Sequence, residues 1–215
     1  MLTTLKQKVD PRNAALIVVD VQNDFAANGG PFDLEGLNIK LFQEMIPRLV
    51  KFIDEARKAK VPIIYIQNSY NSDQNWYLSD AFLEQAARKR KGSYTQRPVA
   101  VKGTWGWEFY DGIKPLPNEM VVAKHRFSAF VDTDLDLILR SKDIKALMVT
   151  GIATNVCVET TVRMGFMKDY YIVVVGDCCA SYSRHLHETA LENIETIFGQ
   201  VVTAQDVVKC WMEIR

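Results

Sequence analysis

Short apolar runs separated by longer amphipathic stretches constrain this chain more than any other feature. The runs are ALIVVD (15–20), VPIIYIQ (61–67), EMVVAK (119–124), KALMVTG (145–151) and YYIVVVGD (170–177), with a weaker QVVTA at 200–204. They are rich in β-branched residues and do not alternate with polar ones, so they predict strands buried on both faces. Between them, residues 38–60 place Leu41, Met45, Leu49, Phe52, Ile53 and Ala56 at steps of three and four, which predicts a helix with one apolar face. Residues 132–142, 155–168 and 184–198 behave in the same way. Strand-then-helix repetition builds right-handed βαβ units. The predicted fold is therefore an α/β, three-layer α/β/α sandwich around a central, mostly parallel six-stranded sheet.

The chain is long enough, at 215 residues, to bury a full core without disulfides or metal, and is expected to form one domain over 1–215. Residues 68–118 are the exception to the pattern. They carry Trp76, Trp105 and Trp107 and three prolines, and they are too long for a bare connection. A helix near 77–90 followed by an aromatic loop is predicted. This segment leaves the carboxyl end of the second strand, so a lid-like insertion over the site is expected. Basic and acidic residues balance at 26 each, and apart from one short basic run at Arg88–Lys91 no basic stripe is present, which argues against nucleic acid and against a membrane surface as partners. No apolar run approaches the roughly 20 residues of a membrane span. The polar MLTTLKQKVDPRN start lacks a signal-peptide core, and the four cysteines form no CxxC pair, so a reduced, cytoplasmic setting is expected.

The chemical signal comes from the residues that end the strands. The first ends at Asp20, the third at Lys124, and the fourth runs into GIATN with Cys157 at the start of a helix. In a parallel sheet these ends share one edge and face one crevice. Each residue has a plainer reading: Asp20 as a turn or cap residue, Lys124 as a solvated strand end, Cys157 as a small core residue. Together, at the ends of strands expected to be neighbours, they form a nucleophile with a base and an electrostatic partner. A helix N-terminus and a nearby ammonium are expected to lower the thiol's pKa. Asp20 would move the proton, and the backbone N–H groups of Ala153 and Cys157 would receive an oxyanion. Gln67, Asn68 and Asn71 offer paired donors and acceptors suited to a urea-like group. Phe25, Phe32, Trp76, Trp107 and Phe127 are candidates to wall the pocket, although aromatic residues serve equally as core or subunit contacts. Arg126 reads first as an exposed strand-end residue, and second as a partner for a substrate carboxylate. Cys178 and Cys179 read as core or loop, and Cys210 as helix packing against Trp211.

The stretches ALIVVDVQNDF, KHRFSAFVDTDLDLILRSKDI and LMVTGIATNVCVETTVRMGF, followed by VVVGDCCAS and NIETIFG, closely resemble the isochorismatase-like cysteine hydrolases. The likeness runs from about residue 14 to about 205. It implies an Asp–Lys–Cys triad falling on Asp20, Lys124 and Cys157, a cis peptide before Ala153, and no cofactor. It also implies a small-molecule substrate and a homo-oligomer, dimer or tetramer. The D-x-H metal-binding arrangement that nicotinamidases carry after the second strand has no counterpart here, so no metal site is expected. GGPFDLEGLNI, IQN, KGTWGWEF and the segment around Cys157 resemble the ureidoacrylate amidohydrolases most closely. Biuret, N-carbamoylsarcosine and nicotinamide amidohydrolases stand as the alternatives, and a catalytically idle, thiol-bearing binding protein as the alternative of another class.

Overall fold

The computed structural model describes residues 1–70, 76–90 and 97–214. Its helices and strands follow in order as α1 (Leu5–Lys8), β1 (Ala14–Val19), α2 (Asn23–Ala26), α3 (Pro31–Leu34), α4 (Lys40–Lys58), β2 (Ile63–Asn68) and α5 (Asp80–Arg90). Then come β3 (Met120–Lys124), α6 (Leu135–Ser141), β4 (Ala146–Ile152), α7 (Glu159–Met167), β5 (Tyr171–Ala180), α8 (Arg184–Asn193), β6 (Gln200–Val202) and α9 (Ala204–Ile214). A π-helical turn, Thr154–Val158, precedes α7, and another, Ile194–Phe198, follows α8.

The six strands form one sheet in the order β3-β2-β1-β4-β5-β6, and every pairing is parallel. The predicted α/β sandwich is therefore the observed fold. β1 lies at the centre, and all six of its residues are fully buried. Leu16, Ile17, Val18 and Val19 contribute roughly 1.5–3 kcal/mol each through burial, which makes this run hard to replace in the core. Two apolar clusters, one on each face, follow from the pleat. Leu16 and Val18 join Phe42, Leu49 and Phe52 of α4 on one face. Ile17 and Val19 join Leu139 of α6 and Val162 of α7 on the other.

Two expectations need correction and one open choice is resolved. β3 is not buried on both faces: Met120, Val121 and Ala123 are exposed while Val122 and Lys124 are buried. It is an edge strand, covered on one side only, so it alternates. β5 runs on through Cys178 and Cys179 to Ala180, so of the two readings, core or loop, those cysteines take the core one. The strands that end at Asp20 and Lys124 are not neighbours, because β2 lies between β1 and β3. Lys124 must reach across about 10 Å of sheet, two strand spacings.

Strand order reverses between β1 and β4, and that switch point is where open α/β sheets hold their ligands. Gly151 makes the closeness of these two strands possible. Its φ is +108°, and a Cβ there would lie 2.2 Å from the Val19 carbonyl oxygen. In the long insertion, residues 97–110 strap across α2. Asn23 donates from its backbone to Glu108, Tyr110 to Val21, and Ala100 to the buried Asp24 carboxylate. Gly106 sits directly on that carboxylate, where a Cβ would come within 1.7 Å of Oδ1.

Candidate active site

Asp20 is the first residue beyond β1 and turns the chain with φ +53°, a left-handed conformation that Asp tolerates better than most residues. Lys124 closes β3. Cys157 sits in the π-turn after β4, directly beyond a cis peptide between Ile152 and Ala153. The three side chains meet. Lys124 Nζ lies 2.7 Å from Asp20 Oδ2 and 3.4 Å from Cys157 Sγ, and donates to the Arg126 carbonyl at 2.9 Å. Two of the ammonium's three N–H groups are thereby hydrogen-bonded, and Asp20 pairs with its charge. Lys124 is 0% exposed, Asp20 1% and Cys157 8%.

Burial sets the electrostatics. It raises the Asp20 carboxyl above its ordinary value, and the attraction of Lys124 offsets only part of that. Neither Asp20 oxygen has a well-aligned hydrogen bond among the described residues, which leaves the ion pair to hold the charge. For Lys124, burial acts downward, but the Asp20 carboxylate, with the Cys157 sulfur adding to it, outweighs burial and the pKa is raised, so the ammonium persists. The thiol departs from the sequence expectation. Burial pushes Cys157 up to about 12, with Asp20 adding to the rise and Lys124 opposing it. A turn near a helix start and a neighbouring cation do not compensate for removal from water. The resting sulfur is a thiol beside a base, not a standing thiolate.

The π-turn shapes the backbone around the sulfur. The Ala153 carbonyl takes the N–H groups of Val156 at 3.0 Å and Val158 at 3.2 Å, and passes over that of Cys157. A cavity opens onto Asp20 and Cys157, with Lys124 behind them. Asp20, Cys157 and Asn68 are its polar walls, and Phe25, Phe32, Phe42, Tyr70, Phe127, Ile152, Ala153 and Val156 complete it.

Of the residues proposed from sequence to contact substrate, Phe25, Asn68 and Phe127 line this cavity, while Gln67, Trp76 and Trp107 do not. Gln67 and Asn68 are consecutive in a strand, so only one can face the cavity. Gln67 instead donates its amide to the Trp107 carbonyl at 3.0 Å. Trp76 is 77% exposed. Trp107 belongs to the strap, which meets Gln67 through its backbone. Asn71 lies outside the described residues. Arg126 is held by the carbonyls of Tyr77 and His125, at 2.7 Å each.

Gln22, which sequence reasoning passed over, explains how Asn68 is fixed. Its fully buried carboxamide accepts from the Asn68 N–H at 2.7 Å and donates to the Asn68 carbonyl at 3.0 Å and to that of Trp107 at 2.8 Å. The signal available was a polar amide two residues after Asp20, at the start of the polar QND stretch that follows the apolar run. Phe42 and Tyr70 were also missed, because nothing local tells a cavity wall from core.

The family model described as isochorismatase domain matches residues 14–206. The ureidoacrylate amidohydrolase RutB of Methylobacterium radiotolerans is 37% identical over 203 residues, covering 90% of this chain and 77% of that one. Its counterpart from Caulobacter vibrioides is 36% identical over 208 residues, covering 92% and 91%. Among solved structures, an isochorismatase-like hydrolase from Alkaliphilus metalliredigens superimposes with a TM-score of 0.75 at 29% identity, covering 93% of this chain and 99% of the other.

Proposed function

The chain belongs to the isochorismatase family, and on that premise we propose that it is a cysteine amidohydrolase that cleaves a C–N bond of a small ureido compound such as ureidoacrylate. The observation that carries this reading is the buried ammonium of Lys124 between a carboxylate and a thiol, 2.7 and 3.4 Å away, both of which line an apolar cavity. The relatives named for ureidoacrylate support the substrate class. So does Asn68, whose buried Oδ1 has no hydrogen-bond partner among the described residues and can accept an N–H from a urea-like group.

Because the thiol is protonated at rest, proton removal accompanies attack. Asp20 takes the proton of Cys157 as the sulfur bonds to the ureido carbonyl carbon, and its raised pKa makes it a stronger base than a surface carboxylate. The carbonyl oxygen becomes an oxyanion against the N–H groups of Ala153 and Cys157. Asp20 returns the proton to the leaving nitrogen as the C–N bond breaks, which leaves an acyl thioester on Cys157. A water then adds to the thioester carbonyl, giving its proton to Asp20, and the thiol leaves with that proton. Lys124 remains charged throughout and balances the alternating negative charge on Asp20 and the reacting centre.

The test measures ammonia and carbamate release from ureidoacrylate, biuret and N-carbamoylsarcosine by the wild type, Cys157→Ala and Asp20→Ala. The wild type is expected to turn over at least one ureido compound, and each variant to lose at least about 1,000-fold in kcat, since such groups act as a unit. Wild-type turnover by either variant overturns the mechanism.

A further inference from the structure

Two side chains, Ser181 from the β5–α8 connection and His187 from α8, grip the turn that carries Cys157, and the reaction above uses neither. Thr154, the first residue of the π-turn, is fully buried, and its hydroxyl meets His187 Nδ1 at 2.8 Å. Asn155 follows it, and Ser181, 1% exposed, donates to Asn155 Oδ1 at 2.6 Å. Ser181 comes directly after β5, whose last residues pair with the end of β4: Cys179 with Gly151, and Ala180 with Ile152. His187 rides on α8, whose first turn Ser183 caps. It lines a separate, open crevice that shares no residue with the substrate cavity. The imidazole is therefore out of reach of substrate, and any effect it has passes through Thr154.

The geometry gives that contact a purpose. The amides of Ala153 and Cys157 flank Thr154 at close range in sequence, and the Ala153 carbonyl already binds two N–H groups of the turn. A free Thr hydroxyl would compete for nearby backbone carbonyls and loosen such a turn. A ring nitrogen at 2.8 Å removes that option. Burial keeps His187 below its usual pKa, so the ring is neutral near pH 7 and can hold the hydroxyl without placing a charge beside the turn.

We infer that His187 is a positioning residue: through Thr154 Oγ1, with Ser181 and Asn155 as a companion pair, it holds the backbone N–H groups of Ala153 and Cys157 where the oxyanion forms. This rests on the reading of Cys157 as nucleophile, so the test uses two probes of one sulfur. Acylation by p-nitrophenyl acetate passes through an oxyanion, whereas alkylation by iodoacetamide does not. Both are followed by mass spectrometry at Cys157, with Cys157→Ala as the blank.

His187→Ala is expected to acylate about 10–100-fold more slowly than wild type, up to the cost of a group misplaced by about 1 Å and below that of a lost oxyanion donor, while alkylation stays within about twofold. His187→Asn, whose carboxamide can still reach the Thr154 hydroxyl, should recover most of the acylation rate. Thr154→Val keeps the shape and removes the hydroxyl, so it should match His187→Ala, and the double variant should be no slower than either single one. Thr154→Val also carries the test if His187→Ala does not fold. Acylation of His187→Ala within about twofold of wild type, or an equal slowing of both probes, overturns the inference. Wild-type acylation no faster than the Cys157→Ala blank overturns the nucleophile reading instead.

Discussion

Lys124 is the residue on which the site turns. A fully buried ammonium is costly unless it is paired and hydrogen-bonded. Here it has a carboxylate, a carbonyl and a thiol within reach, and the two acidic groups raise its pKa against the pull of burial. The same charge restrains Asp20. Asp20 must be ionised to act as base, and its pKa already stands above the ordinary carboxylate range. The acid limb of kcat/KM should therefore fall at higher pH than an exposed Asp would give. Lys124→Met removes the one attractive charge, so Asp20 rises further and the acid limb moves to higher pH, beside a loss of at least about 1,000-fold in rate. A pH–rate profile of the residual activity checks this, and an acid limb that stays or moves down contradicts it.

At the scale of elements, β1 and β4 form the frame of the site, and Gly151 sets their separation where it matters. A Cβ at that position would lie 2.2 Å from Val19 O and 2.6 Å from Val19 N, both rigid backbone, and φ is +108°. Gly151→Ala must push the strands apart one residue before Asp20 and two before the cis peptide. The expected outcome is a loss of about 2–4 kcal/mol in urea unfolding together with loss of turnover, because overpacking and an unfavourable φ act at one point. Wild-type stability in the variant would show that the two strands adjust independently of each other. The strap over α2 is a second element-scale device. Consecutive residues Gln22, Asn23 and Asp24 each bind it by a different group, so it is tied to the same turn that presents Asp20.

For the molecule as a whole, the sheet edge far from the site carries the clearest acid-sensitive contact. Glu119 pairs with Arg57 through two hydrogen bonds of 2.8 and 3.0 Å and accepts from the Leu116 N–H. Burial acts to raise its pKa, but these partners win and the net shift is downward. A lowered folded pKa means stability that is present above the unfolded value and lost as pH falls through the folded one. Asp20 and Asp24, shifted upward, contribute with the opposite sign. Glu119→Gln should lower stability at pH 7 by about 1–2 kcal/mol, a modest figure because Arg57 remains partly exposed, and should flatten the loss of stability below about pH 4.5. Urea midpoints at pH 7, 5 and 3.5 read both effects, and an unchanged acid slope would remove Glu119 from the account.

The sequence by itself determined the strand and helix order, hence a parallel sheet, hence the shared edge on which Asp20, Lys124 and Cys157 meet. Those inferences depend on local apolar patterning and on the one-sided geometry of βαβ units, both of which a sequence displays. Tertiary structure decided the rest. It put β2 between the strands of Asp20 and Lys124, turned Asn68 inward and Gln67 outward, and raised the thiol that a helix start and a cation were expected to lower. It also brought His187 to Thr154 across 33 residues of chain. Desolvation and pairings between distant segments arise only when all layers are packed, so no stretch of sequence carries them alone.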